Sequence, residues 1–379
     1  MINVAVICEY NPFHLGHKKQ IDCIRECFPG ERVRIINIMS GNMVQRGDLA
    51  CAQKYKRAEW AVDDGADLVL ELPFPYSIGR AQDFAFGAVS LVNSLGDIDY
   101  LCFGSECGDV GRIKECASNL LDKGYCERLA ELVRTDFNGS YASVRERLYY
   151  EYFGKELLVS PNDILAIEYT AALIRTRSHT EIMVIPRGND YSASSSRKAI
   201  RDNDRSLYYG MVPQNVSAYF GEHKIIGLSD LDLFVPLYFS LTDPEGLKDY
   251  YEMNLDLASK LRTASQKADG VDQLVDIVSD KRYTRARVRR GVISALLHVD
   301  KAALKKAPSF TVLLASNNSG REYLYKKKCS VPIITRKADL PETDEARSSY
   351  ETLLRADALY NRFLSRSMIE IIKKPYISL

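Results

Sequence analysis

The sequence predicts an α/β domain built on a parallel sheet, followed by a mostly α-helical C-terminal domain. Three observations carry this. Short β-branched runs alternate with helical stretches through the first 105 residues, the pattern of right-handed βαβ units. The alternation stops near residue 205, and the rest reads as helical, with β-like interruptions only at Phe310–Ala315 and 331–335. A chain of 379 residues is long enough for two or three domains. The boundary falls between residues 203 and 230, giving units of 1–203 and 204–379.

Taken in order, Val4 to Cys8 is a short apolar strand ending at the polar stretch EYNPFHLGH, residues 9–17. Ile21, Ile24 and Cys27 then recur at helical spacing. Val33 to Met39 is a second strand, closed by Ser40-Gly41-Asn42. A helix runs through Tyr55, Ala58 and Ala61, with Trp60 on its apolar stripe. Asp67 to Leu72 is a third strand, stopped by Pro73. Phe84, Ala88 and Leu91 mark the next helix, and Tyr100 to Phe103 a fourth strand before Gly104. Residues 110–178 read as helical, interrupted at Ser160-Pro161-Asn162. Glu181 to Ile185 is a fifth strand, and SASSSRKAIR after it looks like a capped helix start.

Composition removes several classes. The chain is 46% hydrophobic and 27% charged, ordinary globular values. No apolar run is long enough to span a membrane. MINVAVICEYN lacks a basic n-region, so a cytoplasmic protein is expected. Nine scattered cysteines without a C-x-x-C pair point to neither a disulfide framework nor a zinc ribbon. The net charge of +1 conceals an asymmetry: residues 281–337 hold 15 basic and 2 acidic side chains, and residues 201–280 hold 7 and 14. With acidic partners scarce locally, the basic segment reads as a surface for RNA or another polyanion.

The chemistry centres on His14-Leu15-Gly16-His17, which follows the first strand and opens a helix. Gly16 lets backbone approach a phosphate. The helix N-terminus adds partial positive charge. The two imidazoles can donate to phosphate oxygens as charge develops. At the far end of the same unit, Ser192-x-Ser194-x-x-Arg197 opens another helix. Ser194 would cap it, and Arg197 would turn a planar fork toward phosphate, making a second clamp.

An early H-x-G-H with a late S-x-[ST]-x-x-R resembles the Rossmann-like nucleotidyltransferase superfamily. Longer blocks resemble the bacterial tRNA(Met) cytidine acetate ligases. These are EYNPFHLGH at 9–17, MSGNMVQRGD at 39–48, KYKRAEWA at 54–61, DLVLELPF at 67–74, YLCFGSE at 100–106, Ser160-Pro161-Asn162, KRYTRARVRR at 281–290 and VPIITR at 331–336. The resemblance covers nearly the whole chain. It implies an ATP-dependent ligase. Acetate would attack the α-phosphate of ATP to give acetyl-adenylate and pyrophosphate. The exocyclic amine of the wobble cytidine in elongator tRNA(Met) would then take the acetyl group and release AMP.

The same resemblance implies an ATP site over Ile7, Cys8, Glu9, Tyr10, Asn11, Pro12, Phe13, His14, Leu15, Gly16, His17, Lys18, Lys19 and Gln20, with Gly104, Asn162 and Arg187. Mg²⁺ would accompany ATP, held mostly by phosphate oxygens and waters. Ser40, Gly41, Asn42, Gln45 and Arg46 are placed near acetate or the target cytidine. Lys54 and Arg57 read either as cations facing the phosphates or as solvated surface. Lys281, Arg282, Arg285, Arg287, Arg289 and Arg290, with Lys326, Lys327 and Lys328, would hold tRNA phosphates. Tyr283, Tyr323 and Tyr325 would stack on unpaired bases. Two departures stand out: Leu15 where the family usually has Asn, and only Gly188-Asn189-Asp190-Tyr191 where it has a longer Gly-rich loop. Two other readings remain open at this point. One is an adenylyltransferase acting on a small molecule. The other is an RNA-binding protein that holds nucleotide without turnover.

Overall fold

Strands β1 (Ile2–Cys8), β2 (Val33–Ser40), β5 (Leu68–Leu72), β6 (Tyr100–Ser105) and β7 (Glu181–Pro186) form a parallel sheet in the order β5-β2-β1-β6-β7. The computed structural model describes residues 1–135, 141–187, 191–326, 329–364 and 377–378. Between the strands lie α1 (Leu15–Glu26), the small hairpin β3 (Met43–Val44) and β4 (Asp48–Leu49), α2 (Lys54–Asp63) and α3 (Ala81–Leu95). From β6 the chain passes through α4 (Val110–Asn119), α5 (Lys123–Thr135), α6 (Tyr141–Phe153) and α7 (Pro161–Arg175) before returning as β7. The chain reverses its strand order between β1 and β6. The crevice at their carboxyl ends is where ligands bind in such sheets.

Burial on both faces explains the near-continuous apolar runs. All eight residues of β2 are buried. Two of its polar members donate inside the sheet: Arg34 Nη1 to Asn3 Oδ1 at 3.2 Å, and Asn37 Nδ2 to Tyr10 Oη at 2.9 Å. Gln53 caps α2 by accepting from Tyr55 N at 2.7 Å. Trp60 is fully buried against Tyr219 and Phe220, as its apolar stripe predicts.

The C-terminal half holds α8 (Ala193–Arg201), α9 (Arg205–Tyr209), α10 (Gln214–Glu222), α11 (Phe234–Leu241), α12 (Leu255–Ser265), α13 (Val271–Val278), α14 (Arg285–Leu296), β8 (Thr311–Ser316), α15 (Asn318–Lys326), β9 (Ile333–Ile334), α16 (Asp344–Asn361) and β10 (Ile377–Ser378). The expected helical character of this half holds, and it also adds strands to the main sheet. The run near 310–315 is a strand of the main sheet, antiparallel to β5 with Leu68 opposite Ser316. It carries β9 and β10 with it, making eight strands. The physical reason is that β5 otherwise presents an open edge. One buried core runs through residues on both sides of residue 203. A smaller cluster around Tyr125, Leu148 and Tyr149 holds α4–α7 together. No helix among the described residues is long and apolar enough to cross a membrane.

Candidate active site

The loop after β1 is built to present two imidazoles. Asn11–Pro12 is a cis peptide, and Tyr10 takes a positive φ of 47°. Ile7, Cys8, Tyr10, Asn11, Pro12 and Phe13 are buried and shape the loop from beneath. Asn11 Oδ1 accepts from Cys51 N at 2.7 Å. The Cys8 thiol faces Ile38 O at 3.9 Å, and burial pushes it up, so it stays protonated. Lys18 pairs with Asp22, Lys19 is exposed, and Gln20 turns to Cys102.

His14 is the N-cap of α1, with its backbone N donating to His17 Nδ1 at 3.2 Å. That acceptor role leaves the neutral His17 ring carrying its proton on Nε2. The rings stack with centroids 3.6 Å apart. A Cβ on Gly16 would fall 2.9 Å from His14 Cε1 and 3.3 Å from Tyr191 Cβ, so only glycine leaves room for the ring. Both ring nitrogens of His14 are buried without a hydrogen-bond partner among the described residues. Such an orphaned group calls for a ligand. Burial lowers His14 to about 4, assisted by Arg187. His17 is also held well below its ordinary range by burial, then by His14 and Arg187.

The β6–β7 side supplies the second wall. Arg187 N donates to Ser105 O at 2.9 Å, and its side chain lies 3.8 Å from where a Gly104 Cβ would stand. Arg187 Nη1 donates to Asn162 Oδ1 at 3.1 Å, and Asn162 Nδ2 to Glu106 Oε1 at 2.6 Å. Glu106 Oε2 also accepts from Asp163 N at 3.2 Å, fixing the start of α7. Arg197 reaches across from α8 and donates to Asn11 O at 2.6 Å. The structure therefore gathers Gly104, Asn162 and Arg187 together, and ties Arg197 to the histidine loop. Ser194 is corrected: Ser192 is the cap, accepting from Ser195 N at 3.0 Å, while Ser194 is exposed in the first turn. Gly188, Asn189 and Asp190 lie outside the described residues.

On the β2 side, Ser40, Gly41 and Asn42 are buried, Gln45 is half-buried and Arg46 is exposed. Gln45 N donates to Glu9 Oε1 at 2.6 Å. Lys54 and Arg57 are buried rather than solvated. Arg57 is fully buried and donates to the carbonyls of Ala52, Ser40, Glu9 and Gly41. Lys54 Nζ meets Glu71 Oε2 at 2.8 Å and Asp357 Oδ2 at 2.7 Å. Burial opposes its charge, yet Asp357 and Glu71 hold it above the usual lysine range. Asn42 Nδ2 donates to the same Asp357 at 2.8 Å. Glu106, Glu71 and Asp357 were not singled out in the sequence. YLCFGSE and DLVLELPF contain the first two without distinguishing them, and nothing local marks Asp357.

Comparison with known proteins agrees with this geometry. The family model described as HIGH Nucleotidyl Transferase matches residues 1–373. The tRNA(Met) cytidine acetate ligase of Clostridium perfringens is 33% identical over 364 residues, covering 88% of this chain and 89% of the relative. The chain belongs to the tRNA(Met) cytidine acetate ligase family. The ligase of Acetivibrio thermocellus is 32% identical over 368 residues, covering 89% and 88%. The crystal structure of Thermotoga maritima TmcAL bound with alpha-thio ATP matches with a TM-score of 0.91 at 25% identity, covering 100% of both chains. The nucleotidyltransferase fold class expected from the sequence is therefore the one observed.

The basic segment is less bare than its sequence. Arg285 pairs with Asp276, Arg289 with Asp272, and Arg290 with Glu252 at 2.9 Å. Arg282 stands 3.6 Å from Asp256, and Lys326 pairs with Glu322 at 2.5 Å. The acidic partners missing locally come mostly from residues 201–280, folded against α14. Lys281 is exposed, and Arg287 lies over the Tyr283 ring. Tyr283 and Tyr323 are buried, with hydroxyls on Asp256 and Asp97, so neither is free to stack on a base. Tyr325 is 93% exposed. Lys327 and Lys328 lie outside the described residues. Gly47 joins this side to the site. Its φ is 73°, and a Cβ there would fall 2.5 Å from Arg290 N in the middle of α14.

The histidine pair sets a pH dependence. The unfolded chain protonates both rings near pH 6.5, but folded His14 resists to about 4 and His17 is lowered as well. The unfolded state therefore binds more protons in this window, and stability falls as pH drops through it. The thermal midpoint is expected to fall from pH 7 to pH 5, and to fall less in His14→Asn. An unchanged slope in that variant would count against a neutral buried His14.

Proposed function

We propose that this chain activates acetate with ATP as acetyl-adenylate and acetylates the exocyclic amine of the wobble cytidine of elongator tRNA(Met). The observation that carries the nucleotide part is His14. It has two buried ring nitrogens at a helix N-terminus with no partner among the described residues, within the electrostatic reach of Arg187 and Arg197. Family membership carries the rest.

In this reading the loop of β1, with Gly104, Asn162 and Arg187, holds ATP at the carboxyl edge of the sheet. An acetate oxygen attacks the α-phosphorus and pyrophosphate leaves. Bound acetate is already ionised, so this step needs no protein base. His17 Nε2–H, His14 and Arg187 stabilise the negative charge that gathers on the phosphates. Mg²⁺ enters with ATP. Among the described residues no group of three His, Cys, Asp or Glu side chains could cage it, so phosphate oxygens and waters would supply most ligands. The acceptor RNA lies on the C-terminal half, with Lys281 and Arg287 as its less encumbered contacts. The β3–β4 hairpin links that surface to the histidine loop.

The test is pyrophosphate release from ATP and acetate, with and without an unmodified elongator tRNA(Met) transcript, followed by nucleoside analysis. Acetylated cytidine is expected only when acetate, ATP and the transcript are all present. Pyrophosphate release without acetylated base would sink the acceptor assignment.

A further inference from the structure

Acyl transfer to an amine needs a base, and the structure offers one at the joint between its two sides. We propose that Glu9 takes the proton from the cytidine amine as that amine attacks the acetyl-adenylate. This rests on the two-step reaction above and assigns a residue to its second step. The new bond joins the amine nitrogen to the acetyl carbon. The bond from that carbon to the phosphate oxygen breaks, and AMP leaves with the electron pair. The nitrogen gives one proton to the Glu9 carboxylate, which releases it to solvent.

Position carries the argument. Glu9 directly follows β1, at the carboxyl edge of the sheet and five residues before His14. Its Oε1 accepts from Gln45 N, which anchors it to the β3–β4 hairpin. That hairpin packs Gly47 against the backbone of α14 and sets Asp48 3.8 Å from Arg289. Glu9 thus stands between the nucleotide loop and the basic helix, where a base reaching from an RNA on α14 toward the site would pass. It is half-buried, and its Oε2 has no partner among the described residues.

The other groups at this edge are committed or weak. Glu106 holds Asn162 and Asp163 with its two oxygens. Asp163 accepts from Ser105 and Cys107. Glu71 and Asp357 hold Lys54. His14, lowered to about 4, keeps a proton poorly. Around Glu9 stand Arg197 of α8, Arg57 of α2, Arg46 of the hairpin, Tyr169 of α7 and the Cys8 thiol. Burial raises the carboxyl above its ordinary value, and these arginines oppose the rise without cancelling it. A carboxylate of raised basicity suits proton abstraction near neutral pH.

Glu9→Gln keeps an oxygen for Gln45 N and removes the basicity. Two steps are compared in it. One is acetate-dependent exchange of labelled pyrophosphate into ATP without RNA. The other is single-turnover acetyl transfer to the elongator tRNA(Met) transcript between pH 5.5 and 8.5. Transfer is expected to fall about 100-fold more than exchange. The acid limb of the wild-type transfer profile should vanish, and Glu9→Asp should recover part of the rate. Equal losses in both steps, or an acid limb unchanged in Glu9→Gln, would overturn the proposal and leave Glu9 as a loop brace. A wild type that exchanges pyrophosphate but acetylates no transcript would overturn the acceptor reading itself, a result visible without any variant.

Discussion

Replacing Arg57 with methionine is expected to destabilise the protein by about 3–5 kcal/mol and to abolish ATP binding beyond what the lost stability explains. One buried guanidinium gathers four backbone carbonyls. They belong to the histidine loop (Glu9), the end of β2 and the residue after it (Ser40, Gly41), and the segment entering α2 (Ala52). Without it those carbonyls stay buried and lose a donor, at roughly 1–3 kcal/mol for each unsatisfied group. Partial relaxation makes the total less than their sum. The loops it joins would also lose their mutual register. Arg57→Lys should recover little, because a point ammonium cannot reproduce the fork. Urea denaturation and ATP titration of the folded fraction measure the two effects. A wild-type urea midpoint in Arg57→Met would show that the four contacts are replaceable by water.

The second large effect falls on the chemistry and spares the fold. His17→Ala is expected to lower acetate-dependent pyrophosphate exchange by about 10²–10³-fold, the usual loss when one donor to a developing negative charge is removed. His14→Ala should do the same with little cost in stability, since its ring nitrogens make no hydrogen bond among the described residues. Circular dichroism and thermal midpoints near wild type would accompany the lost exchange. Exchange within twofold of wild type in both variants would place the phosphates elsewhere.

The readable parts of this site were local. Gly16 and the two histidines lie within one helical turn after an apolar strand, so pattern and context reinforce each other over ten residues. What stayed hidden depends on distant partners. Lys54 and Arg57 look like cations on a polar helix face, and Lys54 is explained by Glu71 together with Asp357, the latter 303 residues later. The basic stretch looked uncompensated because Asp256, Asp272 and Asp276 belong to other helices. Thr311–Ser316 was legible as a strand, but nothing in a strand's composition names its neighbour. Ser192 and Ser194 are equivalent as residue types. Only the hydrogen bond from Ser195 N selects the first as the cap.

The return of β8 to the edge of β5 has a consequence for how the protein is made. Thr311 Oγ1 donates to Glu71 O across 240 residues of chain. At about 5–20 residues per second on a ribosome, the edge of β5 waits for its neighbour for tens of seconds. Throughout that interval a nascent chain carries a sheet with one unpaired side, a template for wrong partners. Asp357 arrives later still, so Lys54 and Glu71 are joined by their third member only near the end of synthesis. An incomplete translation product would own the histidine loop without the groups that lock the strands around it. The order of synthesis thus keeps the histidine loop from being locked in place before α14 and the C-terminal helices exist.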